Sequence, residues 1–329
     1  MNIRNWAFDH GVIRSTKFDI PVIAVGNLNV GGTGKSPQIE YLIRLLRPTY
    51  EIAILSRGYG RATRGFILSD EDSTAEQIGD EPVQFYRKFN NLCVAVDEKR
   101  VHGIEQILRL RPKVELVLLD DAFQHRYVKA GLYILLTAWG DLYADDLLLP
   151  AGNLRESKSG SKRADVIVVT KCPPHLTKEE QAVMIKKLNP RPHQKIFFST
   201  LVYQDRILGH QKEIFIQDLH EYSVLLVTGI ANPKPLVEFL TQHGLSFEHM
   251  KFADHQNLDK TALKTISERY DDISGDKKVI LTTEKDYVRN FLNLDLPVYY
   301  LPIRTEFIED GDGFNNLIYD YVRKNKGDC

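Results

Sequence analysis

The chain has 329 residues, 43% hydrophobic and 26% charged, and its 43 Lys and Arg against 44 Asp and Glu leave a net charge of −1. That length predicts two domains with sizeable cores, and the composition is that of an ordinary soluble globular protein. Balanced charge excludes a global field that would recruit nucleic acid or an acidic membrane, so any basic site has to be local.

Apolar, β-branched runs then alternate with helix-length amphipathic segments. Strands are predicted at Ile20–Val25, Ile52–Leu55, Leu92–Val96, Val114–Leu119, Leu132–Leu136, Val166–Thr170 and Ile196–Leu201. Helices are predicted between them at Ser36–Leu46, Pro82–Lys88, Lys99–Leu110 and Thr177–Leu188, where apolar residues recur at three- and four-residue intervals. This is the pattern of a parallel sheet covered by helices on both faces. The polar stretch Val202–Glu213 reads as a linker or a two-stranded connection. A second series follows through Val224–Val227, Pro233–His243, Phe247–Phe252, Leu258–Tyr270, Val279–Thr282 and Val298–Leu301, predicting a smaller α/β domain. Phe314–Val322 reads as a helix whose packing partner is open. The division is thus 1–202, a linker at 203–216, 217–303, and a C-terminal segment at 304–329.

No window approaches the ~18–20 apolar residues of a membrane span. Met1-Asn2-Ile3-Arg4-Asn5-Trp6 lacks the apolar core of a signal peptide, so the expectation is a cytoplasmic protein. Cys93, Cys172 and Cys329 form neither a metal pattern nor a disulfide framework, which suits a reducing compartment.

The strand at Ile20–Val25 runs into Gly26-Asn27-Leu28-Asn29-Val30-Gly31-Gly32-Thr33-Gly34-Lys35-Ser36, and a helix follows. Closely spaced glycines let backbone N–H groups from Asn29 to Gly34 turn inward around phosphate oxygens, and the helix N-terminus adds its dipole. In such loops the lysine, here Lys35, reaches the β- and γ-phosphates and the hydroxyl, here Ser36, ligates Mg²⁺. Asn29 stands where the strict motif wants glycine, and asparagine tolerates positive φ better than most residues.

Acidic groups gather at two other places. An apolar strand ends in Asp120-Asp121, followed by Ala122-Phe123-Gln124-His125-Arg126; such a strand end beside a phosphate loop suits a carboxylate near Mg²⁺. Gly79-Asp80-Glu81-Pro82 places a second acidic pair before a helix, where Asp80 reads equally as an N-cap and Pro82 as a first-turn residue. Arg57 and Arg61, in Leu55–Arg61, suit a bound phosphate or are simply an exposed basic turn.

Together these stretches resemble the tetraacyldisaccharide 4'-kinase family. The matching segments are Val25–Pro37, Leu55–Arg61, Gly79–Pro82, Asp120–Arg126, Leu149–Glu156, Thr170–Cys172, Phe252–His255 and Thr283–Asp286, in order along nearly the whole chain. The resembled family also lacks glycine at the position of Asn29. The resemblance implies a P-loop NTPase-like domain and a second α/β domain with the active site in the cleft between them. It implies transfer of the ATP γ-phosphate to the 4'-hydroxyl of a tetraacylated disaccharide 1-phosphate, giving lipid IVA at the cytoplasmic face of the inner membrane. Carried over, Lys35 contacts phosphate, and Ser36 and Glu81 lie on or near Mg²⁺. Asp80 is the base, assisted by His255. Asp120, Asp121 and His125 organise metal and phosphate, and Arg155 and Glu156 complete the site.

Family members often begin with an apolar helix that meets the membrane, whereas this chain begins almost directly at Arg4-Asn5-Trp6, so that element is expected to be short or absent. Trp6, Phe8, Val12 and Ile13 with Arg4, Arg14 and Lys17 form either a small interfacial patch or ordinary packing. The rival functions are a P-loop NTPase that switches a partner protein and a non-catalytic nucleotide-binding scaffold. No Asn-Lys-x-Asp guanine motif occurs; Thr170-Lys171-Cys172 and Thr283-Glu284-Lys285-Asp286 only echo it.

Overall fold

A computed structural model describes residues 2–209, 212–254, 256–292 and 294–326. The chain opens with helix α1 (Asn2–Asp9), strand β1 (Val22–Asn27), α2 (Lys35–Leu46), β2 (Ile52–Ser56), β3 (Ile67–Leu68), α3 (Ala75–Ile78), α4 (Asp80–Lys88) and β4 (Cys93–Val96). It continues through α5 (Arg100–Leu110), β5 (Leu116–Leu119), β6 (Leu132–Ala138), β7 (Val166–Thr170), α6 (Lys178–Leu188) and β8 (Lys195–Tyr203). Next come β9 (Arg206–Gly209), β10 (Ile214–Phe215), β11 (Ser223–Thr228), α7 (Lys234–Gln242), β12 (Phe247–Lys251), α8 (Lys260–Asp272), β13 (Lys278–Thr283), α9 (Glu284–Asp286) and β14 (Val298–Leu301). The last elements are β15 (Ile303–Phe307) and α10 (Gly311–Asn325).

Two compact units result, one of residues 1–202 with 304–329 and the other of 203–303. The sheet of the first has the order β15-β8-β7-β6-β1-β5-β2-β4-β3. Strands β8-β7-β6-β1-β5-β2-β4 pair in parallel, and only β3 is shown antiparallel to its neighbour β4. Side chains alternate between the two faces of each strand. Ile23, Val25, Leu116 and Leu118 therefore face α2, α4 and α10, while Val22, Ala24, Val117 and Leu119 face α5. Both faces are buried, which explains the nearly continuous apolar strand sequences. Phe314, Ile318 and Val322 of α10 join the first core, which answers where the C-terminal helix packs.

The second unit has the strand order β10-β9-β14-β13-β11-β12. Its parallel centre carries an antiparallel edge from β9 and β10. The stretch 203–216 is therefore not a free linker. Ile207 and Ile214 sit among its polar residues, 0% and 5% exposed, and bury the hairpin in the second core. Of the two alternatives offered by the sequence, the two-stranded connection is the one formed.

Helix α4 also departs from expectation. Its N-cap is Gly79 at φ 93°, not Asp80, so Asp80 and Glu81 form the first helical turn. A Cβ at Gly79 would lie 3.0 Å from Tyr59 O and 3.2 Å from the Gly58 backbone, so only glycine lets the two loops meet. Behind this turn, the buried Glu40 of α2 accepts from Gln84 Nε2 at 2.8 Å and pairs with Lys88 Nζ at 2.7 Å and Arg44 at 2.9 Å. One carboxylate thus joins α2 to α4 just below the turns that carry Lys35-Ser36 and Asp80-Glu81.

Removing that carboxylate takes the shared acceptor from the buried Gln84 amide and one ion-pair partner from Lys88, whose side chain is 12% exposed. Glu40→Ala is expected to lose about 3 kcal/mol of stability, seen as a lower urea midpoint with an unchanged m-value. An unmoved midpoint would mean that the two helices are held together by their apolar faces alone.

Candidate active site

Strands β1 and β5 are adjacent and parallel, so their carboxyl ends open at the same edge of the sheet. The chain leaves β1 at Asn27, turns through the glycine loop and enters α2 at Lys35. Gly34, at φ 82°, is the N-cap of α2, a left-handed conformation that costs a glycine little. Thr170 Oγ1 donates to Thr33 O at 2.7 Å, so the segment Thr170-Lys171 braces the phosphate loop. That contact gives the echo of a guanine motif a structural meaning.

Asp120 and Asp121 leave β5 beside this loop and differ sharply. Asp120 is fully buried; its Oδ2 accepts from Ser56 Oγ at 3.2 Å, while its Oδ1 has no hydrogen-bond partner among the described residues. Burial, then the nearby charges of Glu81 and Asp121, push its pKa up to about 7, against the pull of Lys35 and Arg100. Burial also disfavours ionisation of Asp121, but the Arg155 hydrogen bonds and the charges of Lys35 and Arg155 outweigh it and bring the pKa down to about 2. Arg155 grips both Asp121 oxygens, at 2.8 and 2.9 Å, and Lys35 Nζ lies 3.7 Å from Oδ1. Ser36 Oγ donates to Glu81 Oε1 at 2.5 Å. Phosphate loop, α4 and the end of β5 therefore converge on one cluster of Lys35, Ser36, Glu81, Asp120, Asp121 and Arg155.

Asn27, which the motif reading passed over, holds this cluster together. Fully buried, it donates through Nδ2 to Gly31 O at 3.3 Å and accepts Arg155 Nη2 on its side-chain oxygen. Its carbonyl accepts from Gln124 Nε2 at 2.7 Å. Arg100 was missed in the same way: it is 2% exposed and donates to Asp97 O at 2.7 Å and Asp120 O at 3.4 Å. Asn27 and Gln124 stood inside quoted motifs, but a hydrogen-bonding hub leaves no mark in sequence spacing.

Other expected residues take different places. Glu156 is fully buried and accepts from Asn5 Nδ2, Gln124 Nε2 and Arg163 Nη2 at 3.0, 3.0 and 2.8 Å, so it ties these parts of the scaffold together. Arg61 donates through Nη2 to Glu98 at 2.6 Å and to Gly65 O at 2.8 Å. Arg57 is exposed just beyond the end of β2. His255 lies outside the described residues. In its own unit, the flanking loop is held by Ala253 N–H to Gln256 Oε1 at 2.9 Å and Leu258 N–H to Asn290 Oδ1 at 3.0 Å. Asp286 accepts from Gly229 N–H and Thr283 Oγ1, at 2.9 and 2.8 Å, a bracing role like that of Thr170.

The N-terminal segment does form a helix, α1. Phe8 is buried against Arg126 and Tyr127, with the guanidinium 5.0 Å from its ring, while Trp6 and Val12 are 55% and 69% exposed. Packing and exposure thus divide the expected patch between them. Among the described residues, no helix is long and apolar enough to cross a membrane.

His125 presents a buried Nε2 with no hydrogen-bond partner. Burial, then Arg100, Arg4 and Arg57, lower its pKa from 6.5 to about 4. The unfolded chain binds this proton below about pH 6.5, but the folded chain does so only near pH 4, so stability falls as pH drops through that window. His125→Asn is expected to flatten the decline, measured as the change in urea midpoint between pH 7.5 and pH 5; equal slopes for both proteins would refute the buried neutral imidazole.

The family model described as LpxK, tetraacyldisaccharide-1-P 4'-kinase, matches residues 1–323. A tetraacyldisaccharide 4'-kinase of Flavobacterium johnsoniae is 50% identical over 325 residues, covering 98% of this chain and 94% of the relative. One from Bacteroides thetaiotaomicron is 45% identical, covering 99% and 90%. A crystal structure of Aquifex aeolicus LpxK, described as an "apo" form in complex with ATP, matches with a TM-score of 0.77 at 29% identity, covering 98% of this chain and 94% of that one. With the phosphate loop, the two acidic pairs and the basic clamp already in place, the chain belongs to the tetraacyldisaccharide-1-P 4'-kinase family.

Proposed function

We propose that this protein transfers the γ-phosphate of ATP to the 4'-hydroxyl of tetraacyldisaccharide 1-phosphate, working on a lipid acceptor at the cytoplasmic face of the inner membrane. The observation that carries the reading is the convergence of Lys35, Arg155 and Asp120, whose Oδ1 has no partner among the described residues, beside the phosphate loop. Phosphoryl transfer asks a protein mainly for positioning and charge neutralisation, and this cluster supplies both.

The residues fit Mg²⁺. Asp120 Oδ1 is buried and unpartnered, and its carboxylate is crowded by Glu81 and Asp121, so a cation relieves repulsion that the protein leaves standing. Among the described residues no three His, Cys, Asp or Glu side chains form a self-sufficient metal site. That agrees with an ion that takes one or two carboxylates and completes its shell with water and phosphate. Ser36, Glu81 and Asp120 would hold it, leaving Asp121 to Arg155 and Lys35. Bound there, the ion neutralises the charge on the β- and γ-phosphates.

The chain's own groups do the rest. Val30 N–H donates to Asn153 O and Thr33 N–H to Gly31 O, so the phosphates would be cradled by the N–H groups of Gly31, Gly32 and Gly34, and Lys35 follows the γ-phosphate as charge develops on it. The acceptor hydroxyl attacks the γ-phosphorus, the bond to the β–γ bridging oxygen breaks, and ADP leaves. Asp80 takes the hydroxyl proton. A carboxylate is a weak base toward an alcohol, so a second group that shares the proton, assigned to His255, helps the step.

The test is incubation with γ-labelled ATP, Mg²⁺ and detergent-dispersed tetraacyldisaccharide 1-phosphate, followed by chromatography of the lipid. Label is expected in the lipid and absent with Lys35→Ala; label found only as free phosphate would favour the NTPase switch. Asp80→Ala and His255→Ala are expected to lower kcat by roughly 10²–10⁴-fold while ATP affinity stays within about threefold. Near wild-type kcat in either variant removes that residue from the mechanism.

A further inference from the structure

The loop after β6 carries an apolar tip. Leu147, Leu148 and Leu149 are 58%, 40% and 55% exposed, and Pro150 and Ala151 after them are exposed as well. Five consecutive apolar residues in water are unusual on a protein surface. A floppy loop would fold such side chains inward, but this one is tied open. The Asp146 carboxylate accepts the N–H groups of Leu147 and Asn153, at 2.7 and 3.1 Å, and Asn29 Nδ2 at 3.0 Å. Leu154 N–H donates to Leu147 O at 2.8 Å and Leu149 N–H to Leu154 O at 3.1 Å, while the Leu154 side chain is buried beside Leu28 and Phe123.

The tip is also fixed to the phosphate loop. Besides the Asn29–Asp146 bond, Val30 N–H donates to Asn153 O at 2.7 Å, and Val30 is itself 51% exposed. An acceptor whose hydroxyl reaches this loop brings its acyl chains to the same edge of the unit, because chains and hydroxyl belong to one disaccharide. With no membrane-crossing helix among the described residues, any grip on a lipid layer has to come from surface elements.

We propose that the Leu147–Ala151 tip inserts into the hydrocarbon of the lipid layer that presents the acceptor, holding the phosphate loop at that surface. The proposal rests on the lipid-kinase reading for the choice of occupant. Burial of a leucine side chain favours the apolar phase, so loss of two has a measurable effect even where insertion is partial.

The experiment is flotation of the full chain, without nucleotide or acceptor, on vesicles of phosphatidylethanolamine and phosphatidylglycerol. The double variant L147S/L149S is expected to lower the vesicle-bound to free ratio about tenfold or more. L110S removes a leucine that is 45% exposed on α5 and is expected to leave the ratio unchanged. Because all three sites are exposed, unchanged thermal unfolding verifies the fold. In mixed micelles the double variant is expected to raise KM for the acceptor as its surface fraction is diluted, with KM for ATP unchanged. A double variant that floats like wild type, or a wild type that does not float, overturns the proposal. So does a wild-type dimer that the double variant converts to monomer, since the tip would then be a self-interface. Tip-dependent flotation by a protein that labels no lipid would uphold the surface and sink the kinase reading instead.

Discussion

Three carboxylates within reach of one phosphate loop cannot all be charged and unpaired, and the site is arranged around that constraint. The chain resolves it unevenly. Asp121 receives Arg155 on both oxygens and Lys35 nearby, which holds it ionised. Asp120 receives one serine hydroxyl and full burial, which raises its pKa to about 7. A desolvated acid beside like charges favours its proton, whereas a bidentate guanidinium favours the carboxylate. The two neighbours therefore separate into an anion that fixes the basic residues and a buried acid that keeps its proton to higher pH. This asymmetry is the reason Asp120 is the one proposed as metal ligand, a choice that two adjacent letters in a sequence leave open.

The same constraint reaches into the scaffold. Carboxylates are held close at the cost of repulsion, so the elements that carry them need firm anchoring elsewhere. The Glu40 junction anchors α2 to α4, and the glycine contact between Gly79 and Gly58 lets the acidic turn approach the end of β2. Asn27 does the equivalent for the loop, since one side chain and one carbonyl meet Gly31, Arg155 and Gln124. None of these three needs to touch substrate. Each limits how far the reacting groups can drift apart, and positioning is where most of the rate of a phosphoryl transfer is gained.

Much of this was legible in the sequence, for identifiable reasons. Parallel strands buried on both faces read as unbroken apolar runs, and the glycine loop before Lys35 has no cheap structural alternative. The family resemblance supplied the site residues, and the structure brings Lys35, Ser36, Glu81, Asp120, Asp121 and Arg155 together. What stayed hidden is what periodicity does not encode. Ile207 and Ile214 are too few among polar neighbours to choose between the linker and the two-stranded connection that the sequence offered. Pro82 suggested a helix beginning two residues late, because proline favours the first turn but does not fix which residue of it. Glu40 and Arg100 look like surface charges on amphipathic helices until their buried partners are seen, since a helix pattern cannot distinguish a solvated charge from a satisfied interior one.

Arg155 and Glu156 show why a motif is not a list of contacts. They are adjacent and oppositely charged, and the resemblance placed both at the reacting groups. The two lie in a bend just after the bridge residue Leu154, and their side chains part there. Arg155 faces Asp121 and Asn27, while Glu156 turns into the interior toward Asn5, Gln124 and Arg163. Gln124 then closes the circuit by donating to Asn27 O, so the inward carboxylate and the outward guanidinium meet on the same strand end from two directions. Through Asn5 the circuit also includes α1, whose Arg4 donates to Gln124 O at 2.9 Å. The short N-terminal helix is therefore bonded to the loop that carries Asp120 and Asp121, and displacing it would disturb the acids through Gln124.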